Sequence, residues 1–158
     1  AAGEAIAAAE AHAAGAQAGG EALALRYRSG LAEELVAEGA RFSVITALEV
    51  IEHVPDQAGF LRVLASLLEP DGLLFLSTLN RTRRSFLTAK LGAEYVLRWL
   101  PIGTHDWRQF VTPAELGAML RAAGLRVTDS AGLEPVPLRG GWRIGRDLGV
   151  NYLVAASR

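Results

Sequence analysis

The runs FSVITAL (42–48) and LLFLSTL (73–79) are short, continuously apolar and rich in bulky or β-branched side chains. Their length and flanking turn residues predict strands buried on both faces, the mark of a parallel sheet. Between them, Asp56 can cap a helix whose Phe60, Leu61, Leu64, Leu67 and Leu68 fall on one face. Pro70, Asp71 and Gly72 are expected to stop it. The alternation in LALRYR (23–28) predicts a further strand, ended by Gly30, and LAEEL (31–35) a helical turn. Thr112, Pro113 and Glu115 form a strong helix start, with Val111 and Leu116 spaced as a hydrophobic staple and Gly124 at the far end. LRVTDSA (125–131) and VNYLVAAS (150–157) read as the last two strands, with a tight turn at Gly140 and Gly141.

The order of these elements predicts an open, mostly parallel α/β sheet ending in an antiparallel pair. Residues 1–14 are alanine-rich and predict a helix closed by Gly15, but no capping residue precedes it. Such a stretch reads either as a frayed or low-complexity helical extension or as a helix whose N-terminal partner lies outside this sequence.

The chain has 158 residues, a formal net charge of −1 and no cysteine. The near-neutral balance argues against a nucleic-acid partner. The missing thiols exclude disulfides, zinc–thiolate sites and a cysteine nucleophile. No uncharged apolar run reaches the roughly 18 residues of a membrane span, and no secretory pattern opens the chain, so a cytoplasmic domain is expected. Neither a G-x-G-x-x-G turn, a P-loop nor a G-x-S-x-G elbow occurs.

In an open sheet of this kind, ligands bind beyond the carboxyl ends of the strands. The densest polar cluster, Glu49, Glu52 and His53, follows the 42–48 strand directly. Two carboxylates and an imidazole can bind a hard divalent cation such as Mg²⁺, act as general base on a hydroxyl, or cap the loop that carries them. His105 lies beside Asp106 and can be a polarised base, or part of a turn. Residues 81–104 join a basic cluster (Arg81, Arg83, Arg84) to a broad apolar arc with a Lys90–Glu94–Arg98 charged stripe. That pattern suits an interfacial helix, or one packed on the domain or a second subunit.

The stretches VITALEVIEHVPD, EPDGLLFLSTLNRT, GAEYVLRWLPIGTHDWRQFVTPAEL and GWRIGRDLGVNYLVA together resemble the ubiquinone-biosynthesis O-methyltransferase family, from about Gly3 to Ala156. The resemblance implies a class I, Rossmann-like methyltransferase domain that lacks its first strand–helix–strand unit and carries an amphipathic insertion at 81–104. It implies S-adenosylmethionine as cofactor and a polyprenylated catechol or demethylubiquinol as methyl acceptor. By position it makes Leu48 a cofactor contact at the strand end and places Glu33 near the adenine. Glu49, Glu52 and His53 match positions that bind Mg²⁺ in eukaryotic relatives. His53 and His105 are the catalytic candidates. Other proteins of ubiquinone biosynthesis are expected partners, and the insertion is expected to touch the inner face of the membrane. With the glycine-rich loop absent from this sequence, weak cofactor binding by the chain alone is expected.

Overall fold

The computed structural model describes residues 2–18, 24–87, 106–136 and 141–158. The helices are α1 (Ala2–Ala18), α2 (Ala32–Ala37), α3 (Gln57–Leu67), the single turn α4 (Arg83–Ser85) and α5 (Pro113–Ala122). The strands are β1 (Phe42–Leu48), β2 (Leu68–Leu79), β3 (Arg126–Pro135), β4 (Trp142–Gly145) and β5 (Asn151–Ser157). They form one mixed sheet in the order β1-β2-β5-β3-β4. β2 pairs parallel with β1, from Val44 opposite Leu73 to Leu48 opposite Ser77. On its other side it runs antiparallel to β5, with Thr78 opposite Tyr152 and Leu79 opposite Asn151.

The α/β class and the closing antiparallel strands are as expected, but the sheet is not mostly parallel. Of the four pairings among the described residues, one is parallel and three are antiparallel. Two features cause this. Residues 24–28 form no strand; the Arg28 guanidinium instead donates to Glu38 (2.6 and 2.8 Å) and Glu34 (3.2 Å). In addition, β3 runs on past residue 131 and folds back on β4, a hairpin the turn signal alone did not predict.

β1 is also less buried than its composition suggests. It sits at the sheet edge, with Val44 51% and Leu48 52% exposed. The glycine at position 15 does not end α1, which continues to Ala18. The Pro70–Gly72 turn is absorbed into the irregular first half of β2, and α3 has already ended at Leu67.

The core lies on one face of the sheet. Leu74, Leu76, Tyr152, Val154 and Ala156 point into it from β2 and β5 at the two-residue spacing of strands. Leu61 and Leu64 from α3 and Leu116 and Leu120 from α5 cover them. Each such aliphatic side chain contributes about 1.5–3 kcal/mol through removal from water.

Both covering helices start where local chemistry directs. The Asp56 carboxylate accepts from the Gly59 N–H at 2.8 Å, capping α3. At α5 the Glu115 N–H donates to the Thr112 hydroxyl (3.3 Å), and the Thr112 N–H donates back to the Glu115 carboxylate (2.9 Å). Pro113 takes the first helical position, and Val111 and Leu116 are both buried as a staple requires. Gly124, at φ +81°, supplies the left-handed residue that ends the helix.

Candidate active site

The carboxyl ends of β1 and β2 carry Leu48 and Glu49 on one strand and Ser77, Thr78 and Asn80 on the other. Glu49 is the single non-glycine residue of positive φ (54°) among the described residues. A left-handed backbone at a residue with a Cβ costs free energy and persists only where surroundings enforce it. Here they do. The Glu49 N–H donates to the Ser77 carbonyl and to Ser77 Oγ, both at 3.1 Å. Its carboxylate Oε1 accepts from Ser77 Oγ at 2.6 Å and from Asn151 Nδ2 at 3.1 Å. No hydrogen bond reaches Oε2 among the described residues, and Glu49 is exposed at the carboxyl edge of the sheet.

Glu52 points the other way. Val50 leads into a 3₁₀ turn over Ile51–His53, and its tight winding turns Ile51 and Glu52 inward and leaves His53 exposed. Glu52 is only 4% exposed, and its Oε2 accepts from the Thr78 hydroxyl at 2.9 Å. Successive strand residues face opposite sides of a sheet, so the hydroxyls of Ser77 and Thr78 draw Glu49 and Glu52 to opposite faces. Burial raises the Glu52 carboxyl above its usual range, and the nearby Glu49 charge adds to this. Tyr152, opposite Thr78, donates its hydroxyl to the Val111 carbonyl at 2.9 Å. Burial pushes that phenol well above its ordinary range.

The expected magnesium set therefore does not converge. Among the described residues, no group of three or more His, Asp or Glu side chains is placed to hold a metal ion. Glu49 is tied to Ser77 and Asn151, Glu52 lies in the core, and His53 faces solvent. These residues do not fit Mg²⁺ as arranged.

Glu33 lies on α2 and lines an open groove of about 680 Å³ with Val36, Val54, Pro55, Asp56 and Phe60. That volume falls within the rough 300–1,000 Å³ range of small-molecule sites. Arg62 also lines the groove, so its walls are apolar with two carboxylates and a guanidinium among them. Leu48 lies at the β1 end outside this lining, so the two expected cofactor contacts do not share one cavity. His105 and most of the 81–104 insertion lie outside the described residues. No helix among the described residues is long and apolar enough to cross a membrane.

Ser77 and Asn151 do not stand out in the sequence. Their signal is slight: small polar residues at the ends of apolar runs, brought together only by the β2–β5 register.

A family model described as a methyltransferase domain matches residues 6–130. The chain belongs to the methyltransferase-domain family. The ubiquinone biosynthesis O-methyltransferase of Methylobacterium nodulans is 53% identical over 132 residues, which is 84% of this chain and 53% of that protein. The protein of the same name from Azorhizobium caulinodans is 54% identical over 128 residues, 81% of this chain and 51% of its own. The chain thus spans about half the length of the curated relatives it matches. A SAM-dependent methyltransferase from Thermotoga maritima superposes with a TM-score of 0.51 at 17% identity, over 75% of this chain and 56% of that one. That likeness shows the shared methyltransferase fold, in agreement with the class I, Rossmann-like reading of the sequence.

Proposed function

We propose that the methyltransferase-domain chain serves an S-adenosylmethionine-dependent O-methylation of a polyprenylated catechol or demethylubiquinol in ubiquinone biosynthesis. The observation that carries this reading is the identity of about half to relatives of that name, over more than four-fifths of the chain. When bound, S-adenosylmethionine supplies an electrophilic methyl group.

The chain's own share is to position and deprotonate the acceptor. Glu49 presents a fixed carboxylate at the ligand edge, and its Oε2 takes the proton of the acceptor hydroxyl as that oxygen becomes nucleophilic. His53, exposed on the same loop, is the second candidate for that proton. Leu48 would bound the cofactor at the strand end, and Glu33 would face its adenosine in the α2–α3 groove. The basic segment that begins at Arg81 would bring the site to the inner membrane face, where a prenylated acceptor and other enzymes of ubiquinone biosynthesis reside.

The test is a methyl-transfer assay with the protein as its gene encodes it, labelled S-adenosylmethionine and a short-chain prenyl catechol. Label is expected on a phenolic oxygen, and Glu49→Gln is expected to lower kcat by about 100-fold, in the range of a lost general base. A Glu49→Gln enzyme of full activity with an inactive His53→Ala would move the proton acceptor to His53. Equal turnover of an unprenylated catechol would point to another small aromatic acceptor. No transfer to any catechol would overturn the reading in favour of a non-catalytic, membrane-associated chain.

A further inference from the structure

Asn151 stands at the start of β5, 102 residues beyond Glu49, and Nδ2 donates to Glu49 Oε1. The amide is only half used. Its own oxygen, Oδ1, is buried with no hydrogen-bond partner among the described residues. Buried acceptors left unpaired cost free energy, so an asparagine here needs a reason other than stability. The amide cannot be turned over to relieve the cost, because Oδ1 would then face the Glu49 carboxylate. The one hydrogen bond of this side chain among the described residues is the one that orients Glu49.

The segment before Asn151 is held with unusual care. The Asn80 N–H donates to the Val150 carbonyl and Asn80 Nδ2 to the Leu148 carbonyl, both at 2.8 Å. The Thr82 hydroxyl donates to the Gly149 carbonyl at 2.6 Å, and Arg84 is ion-paired with Asp147. On the other side Gly132 passes so close that a Cβ there would lie 2.0 Å from the Asp147 carbonyl oxygen. Residues 147–150 are thus gripped from β3 and from the segment that follows β2, which leaves Asn151 little freedom to leave Glu49.

We propose that Asn151 is a positioning residue: with Ser77 it clamps Glu49 Oε1 and so aims Oε2 at the acceptor hydroxyl. The proposal rests on the O-methyltransferase reading for its consequence in turnover, but not for the clamp itself. Ser77 fixes both the main chain and the carboxylate of Glu49, so its loss would disturb the strained backbone as well. The Asn151 side chain hydrogen-bonds the carboxylate alone among the described residues, which makes it the cleaner probe.

Two measurements test the clamp. In the methyl-transfer assay, Asn151→Ala is expected to lower kcat about tenfold or more with KM little changed, as loss of alignment does. Added to Glu49→Gln, it is expected to cost almost nothing further, because a positioning residue has nothing left to position. Equal losses from Asn151→Ala in both backgrounds would show a merely structural role and overturn the proposal. So would an Asn151→Ala enzyme with normal kcat alongside an impaired Glu49→Gln. Independently of turnover, the side-chain amide ¹H–¹⁵N signals of Asn151 are expected to shift strongly in Glu49→Gln. Unmoved signals would overturn the clamp even in a chain that transfers no methyl group. Moved signals with no transfer would keep the clamp and reject only the proposed reaction.

Discussion

The Glu52 carboxylate accepts its hydrogen bond from the Thr78 hydroxyl inside the core, while its other oxygen, Oε1, is buried without a hydrogen-bond partner among the described residues. Burial is the main cause of its raised pKa. A carboxyl held up in the fold binds its proton more tightly folded than unfolded, so its ionisation weakens the fold. Stability from this group is therefore full below the ordinary glutamate range near ~4.3 and is lost as pH rises through the higher folded value. Glu52→Gln is expected to flatten that fall. Urea unfolding of both proteins across mildly acidic to neutral pH checks it, and parallel slopes would show that Glu52 does not titrate between the two states.

Glu115 behaves in the opposite sense. The Thr112 N–H and hydroxyl, and then Arg81, hold its carboxyl below the usual range. Its contribution is present above the ordinary glutamate range and disappears as pH drops through the lowered folded value. Thr112→Ala removes the α5 cap, and a loss of about 1 kcal/mol is expected at neutral pH. The deficit should shrink on acidification, read from denaturant midpoints at two pH values.

Tyr152→Phe keeps the ring and deletes the donor to the Val111 carbonyl. The carbonyl is then left buried and unpaired, which costs about 1–3 kcal/mol. A loss near zero in thermal or urea unfolding would mean that water reaches Val111 once the hydroxyl is gone.

The edge strand β1 exposes Val44 and Leu48 beside a row of backbone groups without strand partners among the described residues. Such an edge favours pairing with other chains. Val44→Lys is expected to reduce self-association of the isolated chain, seen as a lower concentration dependence of light scattering. Unchanged scattering would place self-association elsewhere.

What could be read along the chain was whatever a few neighbouring residues decide. The caps at Asp56 and Thr112 and the Leu61, Leu64 and Leu67 positions of α3 depend on contacts within a few positions and formed as expected, whereas Leu68, expected on that helix face, instead begins β2, which runs through residues 70–72 into the run 73–79. Edges and faces depend on what lies across the sheet. FSVITAL looks like a central strand by composition, yet β1 has a strand on one side alone among the described residues. LALRYR alternates correctly but finds ion pairs instead of a ladder.

The site shows the same division. EVIEH announced the location, and the positions of Glu49 and Glu52 follow from it. Their separation onto two faces was hidden, because it depends on Ser77 and Thr78 some 28 and 26 residues away. Asn151 was more remote still, its partner set by the antiparallel register of β2 with β5.

That register also governs the order in which the sheet can be assembled. β5 lies between β2 and β3, so those strands meet only through it, although both leave the ribosome earlier. During synthesis the β1–β2 pair and the β3–β4 hairpin can form from local neighbours, but they remain two unjoined halves until β5 emerges. Closing them means bringing together residues far apart along the chain, an entropically slow step. In that interval the flanks of β2 and β3 are open strand edges, the surfaces a chaperone would shield and a neighbouring nascent chain would capture.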